Sequence, residues 1–275
     1  SIDMRWRILG CLLIFCAGSA RAGGPEKNPT GPWFLGDSKE RWTFDVLLGA
    51  ELEPDYVGSD DSEVDPSGFV RAFYKDRHGN RYSLGLEEIG AVFYWGEDDR
   101  WALGIDLEFE EGRETENEEL RGLPEGRSTL EGEFTLYRRF GNAYGAAVFQ
   151  PDLLDRGKGL VYFIAGGYDY LTPGERFLVS TRLDISWGDA EHMQTEFGLD
   201  EEEGLIIGQP AYTPGGGLKS TSFGVSAQHF FSRRWSWLLG VEVEKYHSKA
   251  ADSPLIANLG SDVNFEATLG IYFRF

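Results

Sequence analysis

Thiols are almost missing from this chain of 275 residues, which carries 2 cysteines, Cys11 and Cys16. Long apolar runs are missing too: no stretch past the N-terminus approaches the ~18 consecutive apolar residues of a membrane-spanning helix, so a helical membrane protein is excluded. Basic residues are few. Against 46 Asp and Glu stand 26 Lys and Arg, a formal charge of −20. Such a chain repels a polyanion, which excludes a nucleic-acid partner. Methionine is scarce at 2 residues, whereas 36 Gly, 19 Phe, 12 Tyr and 8 Trp are present. Disorder is excluded by a hydrophobic content of 41%, ample for a packed or lipid-covered fold. The glycine and aromatic balance points to an all-β protein.

The N-terminus is set apart from the fold. Met4 is followed by Arg5 and Arg7, an apolar run from Ile8 to Ala20, and the small-residue site Ala20-Arg21-Ala22. That order is a secretory signal peptide, so residues 1–22 are expected to be removed by cleavage after Ala22, with Ser1–Asp3 preceding the expected start. The run is too short for an anchor of about 20 residues. A lipoprotein signal at Cys16 is disfavoured by the bulky Phe15. Both cysteines leave with this segment, so the exported chain has no thiol for a disulfide, a CxxC metal site or a nucleophile. Arg5, Arg7, Arg21 and Asp3 leave as well. Residues 23–40 are expected to form a periplasmic N-terminal tail, and 41–275 the folded domain.

What remains is period-two alternation in segments of about ten residues, separated by Gly, Pro, Asp and Asn turns. At the C-terminus Phe265, Ala267, Leu269, Ile271, Phe273 and Phe275 share one face, with Asn264, Glu266, Thr268, Gly270, Tyr272 and Arg274 on the other. The same pattern runs through 42–52, 101–110, 177–187 and 235–244, and through 129–136, where Arg138 interrupts the apolar face near its end. Segments 142–152 and 159–171 are apolar on both faces and take no side. A soluble sandwich and a membrane barrel both alternate. The apolar faces are long enough to cross hydrocarbon at a tilt, aromatics such as Trp42, Trp101, Trp187 and Trp235 gather at their ends, and Asp, Glu and Arg stand mid-strand on the opposite faces, as a hydrated lumen permits. The reading is an antiparallel transmembrane β-barrel of the outer-membrane type. Eleven segments (41–54, 67–75, 81–95, 100–111, 127–140, 142–152, 159–171, 175–187, 218–231, 233–246 and 262–275) violate the even parity of bacterial barrels. In 81–95 the apolar residues change from even to odd positions at Glu87-Glu88. Taken as a turn, this gives twelve strands. Short connections at 96–99, 141–142, 172–174 and 232–233 then fall on the periplasmic side, and longer ones near 55–66, 112–126, 153–158, 188–217 and 247–261 fall outside.

Two motifs carry a resemblance. Gly49-Ala50-Glu51-Leu52-Glu53-Pro54-Asp55-Tyr56-Val57-Gly58-Ser59-Asp60-Asp61 resembles the Pro-Asp/Glu-Tyr-x-Gly-Ser signature after the first strand of the MipA/OmpV family, the MltA-interacting outer-membrane proteins. Ala250-Ala251-Asp252-Ser253-Pro254-Leu255-Ile256, then Gly260-Ser261 and a last strand ending Tyr272-Phe273-Arg274-Phe275, resembles its Ala-Asp-Ser-Pro segment and terminal strand. The family residues are thus Pro54, Asp55, Tyr56, Gly58, Ser59, Asp252, Ser253 and Pro254. The resemblance implies an outer-membrane barrel, and a role as scaffold between a murein hydrolase and a murein synthase, or as a porin-like or adhesive surface protein.

Catalysis finds little support. A lipid hydrolase of the barrel type needs His and Ser two apart on one strand, so that both face the lipid. His229 with Ser232 and His247 with Ser248 have odd separations, and His78 and His192 lie in expected turns or loops. No enzyme and no cofactor are expected. Asp55, Asp60, Asp61, Glu63 and Asp65 crowd one expected external loop, and Asp200–Glu203 another; they either share divalent ions with lipopolysaccharide or form solvated charge runs that keep the loops extended. On the lumen face Asp45, Glu51, Asp106, Glu108, Glu131, Glu133, Asp184, Glu242, Glu244 and Glu266 outnumber Arg41, Arg139, Arg182 and Arg274. An open lumen would prefer cations, whereas long side chains and Arg–carboxylate pairs would plug it. Phe275 resembles the terminal aromatic read by the barrel-assembly machinery. The function readings are a scaffold or interaction protein in the outer membrane, a small cation-preferring channel, and, most remotely, a lipid hydrolase.

Overall fold

A computed structural model describes residues 41–275 apart from 87, 97–99, 111–118, 125, 174–175 and 233; the expected signal peptide and N-terminal tail lie outside the described residues. Twelve strands run in order: β1 (Trp42–Pro54), β2 (Ser62–Lys75), β3 (Arg81–Gly85), β4 (Glu88–Trp95), β5 (Trp101–Glu110), β6 (Thr129–Phe140), β7 (Ala143–Pro151), β8 (Leu160–Leu171), β9 (Phe177–Gly188), β10 (Gly217–Phe230), β11 (Trp235–Tyr246) and β12 (Val263–Arg274). Each pairs antiparallel with its sequence neighbours, and β12 pairs with β1, so the sheet is a closed barrel with no free edge strand. The change of face falls between β3 and β4, a short hairpin in which Arg81↔Val92 to Leu84↔Ile89 are paired.

Alternation maps onto the wall as hydrophobicity requires. Leu48, Leu84, Leu183, Leu239 and Leu269 stand exposed on the outside, where a soluble fold would have buried them and a bilayer covers them. Near the end where β1 begins and β12 ends, hereafter the terminal end, Trp42 packs on Tyr74 at 4.9 Å, Trp95 on Trp101 at 6.2 Å and Trp235 on Phe273 at 4.3 Å. This is an interfacial girdle. Arg138 belongs to it: its guanidinium lies 4.6 Å from the Trp101 ring centre and 4.7 Å from that of Phe140, so the interruption of the apolar face is a cation held over aromatic faces at the membrane boundary.

The structure also assigns what alternation left open. In β7 Tyr144 and Val148 are buried inside while Phe149 faces out; in β8 Ala165 and Asp169 are inside and Tyr162, Ile164, Tyr168 and Tyr170 outside. Three expectations are corrected. The first long connection is shorter than 55–66, because β2 begins at Ser62 and pairs with β1 up to Pro54↔Ser62. Pro66 is tolerated there because β3 pairs with β2 only from Arg71 to Lys75, leaving this stretch without a strand neighbour on that side among the described residues. Glu63 and Asp65 are consequently strand residues. The acidic 188–217 connection is not extended: it contains helices α1 (Ala190–Phe197) and α2 (Glu201–Ile207), and the last long connection contains α3 (Ser248–Ala251) and α4 (Pro254–Ala257). Arg41 precedes β1 and is exposed, so it is not a lumen residue.

At the seam the Phe275 N–H donates to Phe44 O at 3.0 Å and the Phe44 N–H to Phe275 O at 2.7 Å, while their rings stack at 5.3 Å. Deleting Phe275 removes both bonds and the ring contact. Recovery of heat-modifiable, folded barrel from the outer-membrane fraction is expected to fall several-fold; unchanged recovery would count against a role for this residue in insertion.

Candidate functional site

The lumen is built in three levels. At the terminal end it is filled. Leu47, Leu178, Phe230, Leu238 and Tyr272 form one buried apolar cluster, with Phe69 and Leu171 packed against it, and Ala102, Tyr137, Tyr144 and Val148 form another. Ion pairs complete this floor. Arg274 and the Tyr272 hydroxyl both donate to Asp45, which is 1% exposed. Arg139 donates to Asp169 at 3.0 Å and to the Tyr137 hydroxyl at 2.9 Å. The Ser180 hydroxyl also donates to Asp169, at 2.7 Å, so four residues donate to two carboxylates and these buried charges are hydrogen-bonded as well as paired.

Above the floor the lumen face turns acidic. Carboxylates stand directly opposite carboxylates across neighbouring strands: Glu51↔Asp65 and Glu53↔Glu63, Glu242↔Glu266, Glu88↔Glu108, and Asp106↔Glu133 with Glu108↔Glu131. Like charges so placed oppose pairing. Most of these side chains are only half-buried, which marks a hydrated space. Arg71 pairs with Glu88, and Arg182 with Asp184 at 2.7 Å.

The third level is a folded cap, and the two family motifs make it. Tyr56, just past Pro54, is buried and donates its hydroxyl to Leu259 O at 2.9 Å. Gly58 has φ +87°, and a Cβ there would lie 2.4 Å from Ile256 Cγ1, so both its backbone conformation and its missing side chain are used. Ser59 pairs with Gly260, and the Ser261 N–H donates to Gly58 O at 2.7 Å. Ser253 donates to Phe197 O at 2.7 Å and accepts from the Leu255 N–H, capping α4, whose first residue is Pro254; Asp252 ends α3. Around these contacts Leu120, Leu123, Leu199 and Leu255 pack with Tyr56, and Met193, Phe197, Tyr246, Ala250 and Ile256 form an adjoining cluster. Burial, followed by the charges of Glu119 and Asp60, pushes the Tyr56 phenol up to about 12.

Asp189 and Asp200 accept from the N–H groups of His192 and Glu203, and Asp200 and Glu203 form a capping box. The acidic run thus serves as a helix N-terminus, where negative charge is favourable. Asp55 donates its N–H to Asp61 O at 3.3 Å, and the Asp61 N–H to Ser59 Oγ at 3.1 Å, while Asp60 and Asp61 are exposed. Among the described residues no group of three or more His, Cys, Asp or Glu is placed to hold a metal ion.

The histidines lie where their surroundings use them. His229 faces outward and stacks on Phe177 at 4.3 Å in the girdle. His78 sits in the 76–80 turn, its N–H on Asp76. His247 precedes α3 and its Nε2 is 3.0 Å from Thr221 Oγ1; among the described residues no serine hydroxyl reaches a histidine ring. His192 was expected in a loop and instead lies buried in α1, its Nδ1 3.2 Å from Lys158 O and its Nε2 without a partner. Burial, with a smaller push from Lys219, lowers it from 6.5 to about 4, against the opposing charge of Glu196. Between those values an opened cap binds a proton that the closed cap does not. Closure is therefore fully stable above about pH 6.5 and loses about 3 kcal/mol by pH 4. Amide exchange across 189–216 is expected to accelerate over that interval and to lose most of this pH dependence in His192→Gln; an unchanged profile in the variant would rule out the assignment.

No curated protein matches the chain. Among solved structures, a bacterial polysaccharide outer membrane secretin is 10% identical over 84% of this chain and 98% of its own, with a TM-score of 0.46. An outer membrane channel from Pseudomonas putida F1 is 12% identical over 86% and 97%, with a TM-score of 0.47, and KdgM porin is 9% identical over 84% and 99%, with a TM-score of 0.41. The family described as MltA-interacting protein MipA matches residues 46–275, from within β1 to the last residue. That match takes in both motifs of the cap and the barrel from Val46 of β1 through β12, and this outer-membrane barrel protein belongs to the MipA family.

Proposed function

We propose that this protein is a non-enzymatic interaction protein of the outer membrane, exported by its N-terminal signal, that works through contacts at its two ends and passes no solute. The observation that carries this reading is the filled lumen: Leu47, Tyr272 and Asp45 are at most 2% exposed at one end, and Met193 and Phe197 are 0% exposed beneath the cap at the other. The acidic middle level would suit a cation-preferring channel, but a channel needs a continuous wet path and the apolar floor interrupts it. The long connections face outside in this reading and offer a structured surface, with Leu205 84% exposed on α2. The short turns face the periplasm, and the name of the family points to a murein enzyme as partner on that side.

Photo-crosslinkers placed at Asn142 and Arg234 in the terminal-end turns and at Leu205 in the cap, used in intact cells, test the reading. Capture of a murein hydrolase or synthase from the turns supports the scaffold role; capture only through Leu205 replaces it with surface contact. In planar bilayers the purified barrel is expected to give no unitary conductance steps, and regular steps would overturn the closed-barrel reading.

A further inference from the structure

The acidic level of the lumen holds one compact acceptor cluster. Glu242 and Glu266 face each other across β11 and β12, and Glu244 faces Asn264 one rung nearer the cap. Glu51 of β1 faces Thr268 of β12, whose hydroxyl donates to Glu51 Oε1 at 3.1 Å, and Ser67 donates to Oε2 at 3.2 Å. The Tyr246 hydroxyl donates to Glu244 Oε2 at 2.8 Å, and the Tyr246 ring meets Phe197 edge-on at 5.6 Å, so the cluster lies directly under the cap. Asn264 points into the lumen between Glu244 and Glu266. It is 4% exposed, and its Oδ1 has no hydrogen-bond partner, a cost of about 1–3 kcal/mol for a buried acceptor. This oxygen and the four carboxylates are acceptors on the lumen face of three adjacent strands, β11, β12 and β1.

We infer that this cluster binds a linear aliphatic polyamine. A single metal ion does not fit, because no three carboxylates among the described residues converge as a metal requires. Facing side chains across a sheet are about 5 Å apart and successive same-face residues of one strand about 7 Å, a spacing that ammonium groups joined by short methylene chains match. Each ammonium brings several donors and no acceptor, the complement of a carboxylate pair and an amide oxygen. The methylenes would lie along Gly240, where a Cβ would meet nothing nearer than Thr268 Cβ at 4.0 Å, while the Glu242 carboxylate lies over Gly224. The inference goes beyond the interaction role and does not depend on it: with the floor filled, the polyamine enters when the cap opens, and binding requires neither conduction nor a protein partner.

Titration calorimetry of the purified folded barrel with spermidine tests it, with magnesium chloride as a parallel probe. Saturable binding is expected, at least tenfold weaker in Glu242→Gln/Glu266→Gln and unchanged in Glu201→Gln/Glu202→Gln on the exposed helix α2. Because glutamine relieves facing like charges, the lumen variant should keep its heat-modifiable mobility; Asn264→Asp, which adds a carboxylate, is expected to tighten binding. No heat with spermidine, equal affinity in the lumen variant, weaker binding in Asn264→Asp, or complete competition by an equal concentration of magnesium would each overturn the assignment.

Discussion

Replacing Asp45 with alanine is expected to cost about 3–5 kcal/mol of barrel stability, the penalty for stripping the partner from a buried cation. Asp45 is 1% exposed, and Arg274 and Tyr272 both donate to it from β12 across the seam that closes the barrel. Alanine leaves the Arg274 guanidinium in a floor lined by Leu47, Leu178 and Leu238, with the Tyr272 hydroxyl also unsatisfied. Asp45→Asn keeps an acceptor and should cost less. Asp45→Leu/Arg274→Leu removes both charges and should recover much of the loss, since apolar replacement of a whole buried pair is close to neutral. Urea unfolding in detergent, followed by tryptophan fluorescence, reads all three. Equal stability of Asp45→Ala and the parent would show that the seam does not depend on this pair.

Gly58→Val is expected to open the cap and leave the barrel intact. Two costs add at this position. A β-branched residue at φ +87° is strained by about 1–2 kcal/mol, and its Cβ would stand 2.4 Å from Ile256 Cγ1 in a packed cluster, where overpacking costs about 1–3 kcal/mol. Ile256 is 2% exposed and shares its cluster with Met193 and Phe197, so displacing it loosens α1 and α4 together. Limited proteolysis of the folded protein is expected to cut within 189–216 and 247–262 at least tenfold faster than in the parent, with heat-modifiable mobility retained. Gly58→Ala should lie between the two. Loss of the barrel itself would mean that the cap is part of the folding core; unchanged proteolysis would mean that Gly58 does not hold it closed.

Legibility followed the range of the interactions. In β1, Trp42, Phe44 and Leu48 face lipid while Asp45, Leu47 and Glu51 face the lumen, and a two-residue period reports this without knowledge of any other strand. Tyr144 and Tyr162 have the same side-chain chemistry and opposite fates, one inside and one outside. For these strands a filled lumen and a bilayer are equally apolar, and only pairing to assigned neighbours decides the side. The expected connection 55–66 ran too far because Pro66 is tolerated in β2 only through how far β3 extends, which β2 cannot encode. Asp200–Glu203 reads as a charge run rather than a helix start because α1 and α2 have 8 and 7 residues, too short to form without tertiary contacts.

The sequence by itself determined the barrel: strand length, alternation, terminal aromatic, parity and the acidic lumen are local features, each imposed by a boundary between lipid and water. Its two separated motifs also determined the family. Only the tertiary structure decided what those motifs do. Tyr56 reaches Leu259 across 203 residues, and Asp45 meets Arg274 across 229. No periodicity records such contacts, because they exist only once the sheet has closed and brought the first strand against the last. Closure likewise sets which carboxylates face each other, and with them the acceptor cluster beneath the cap.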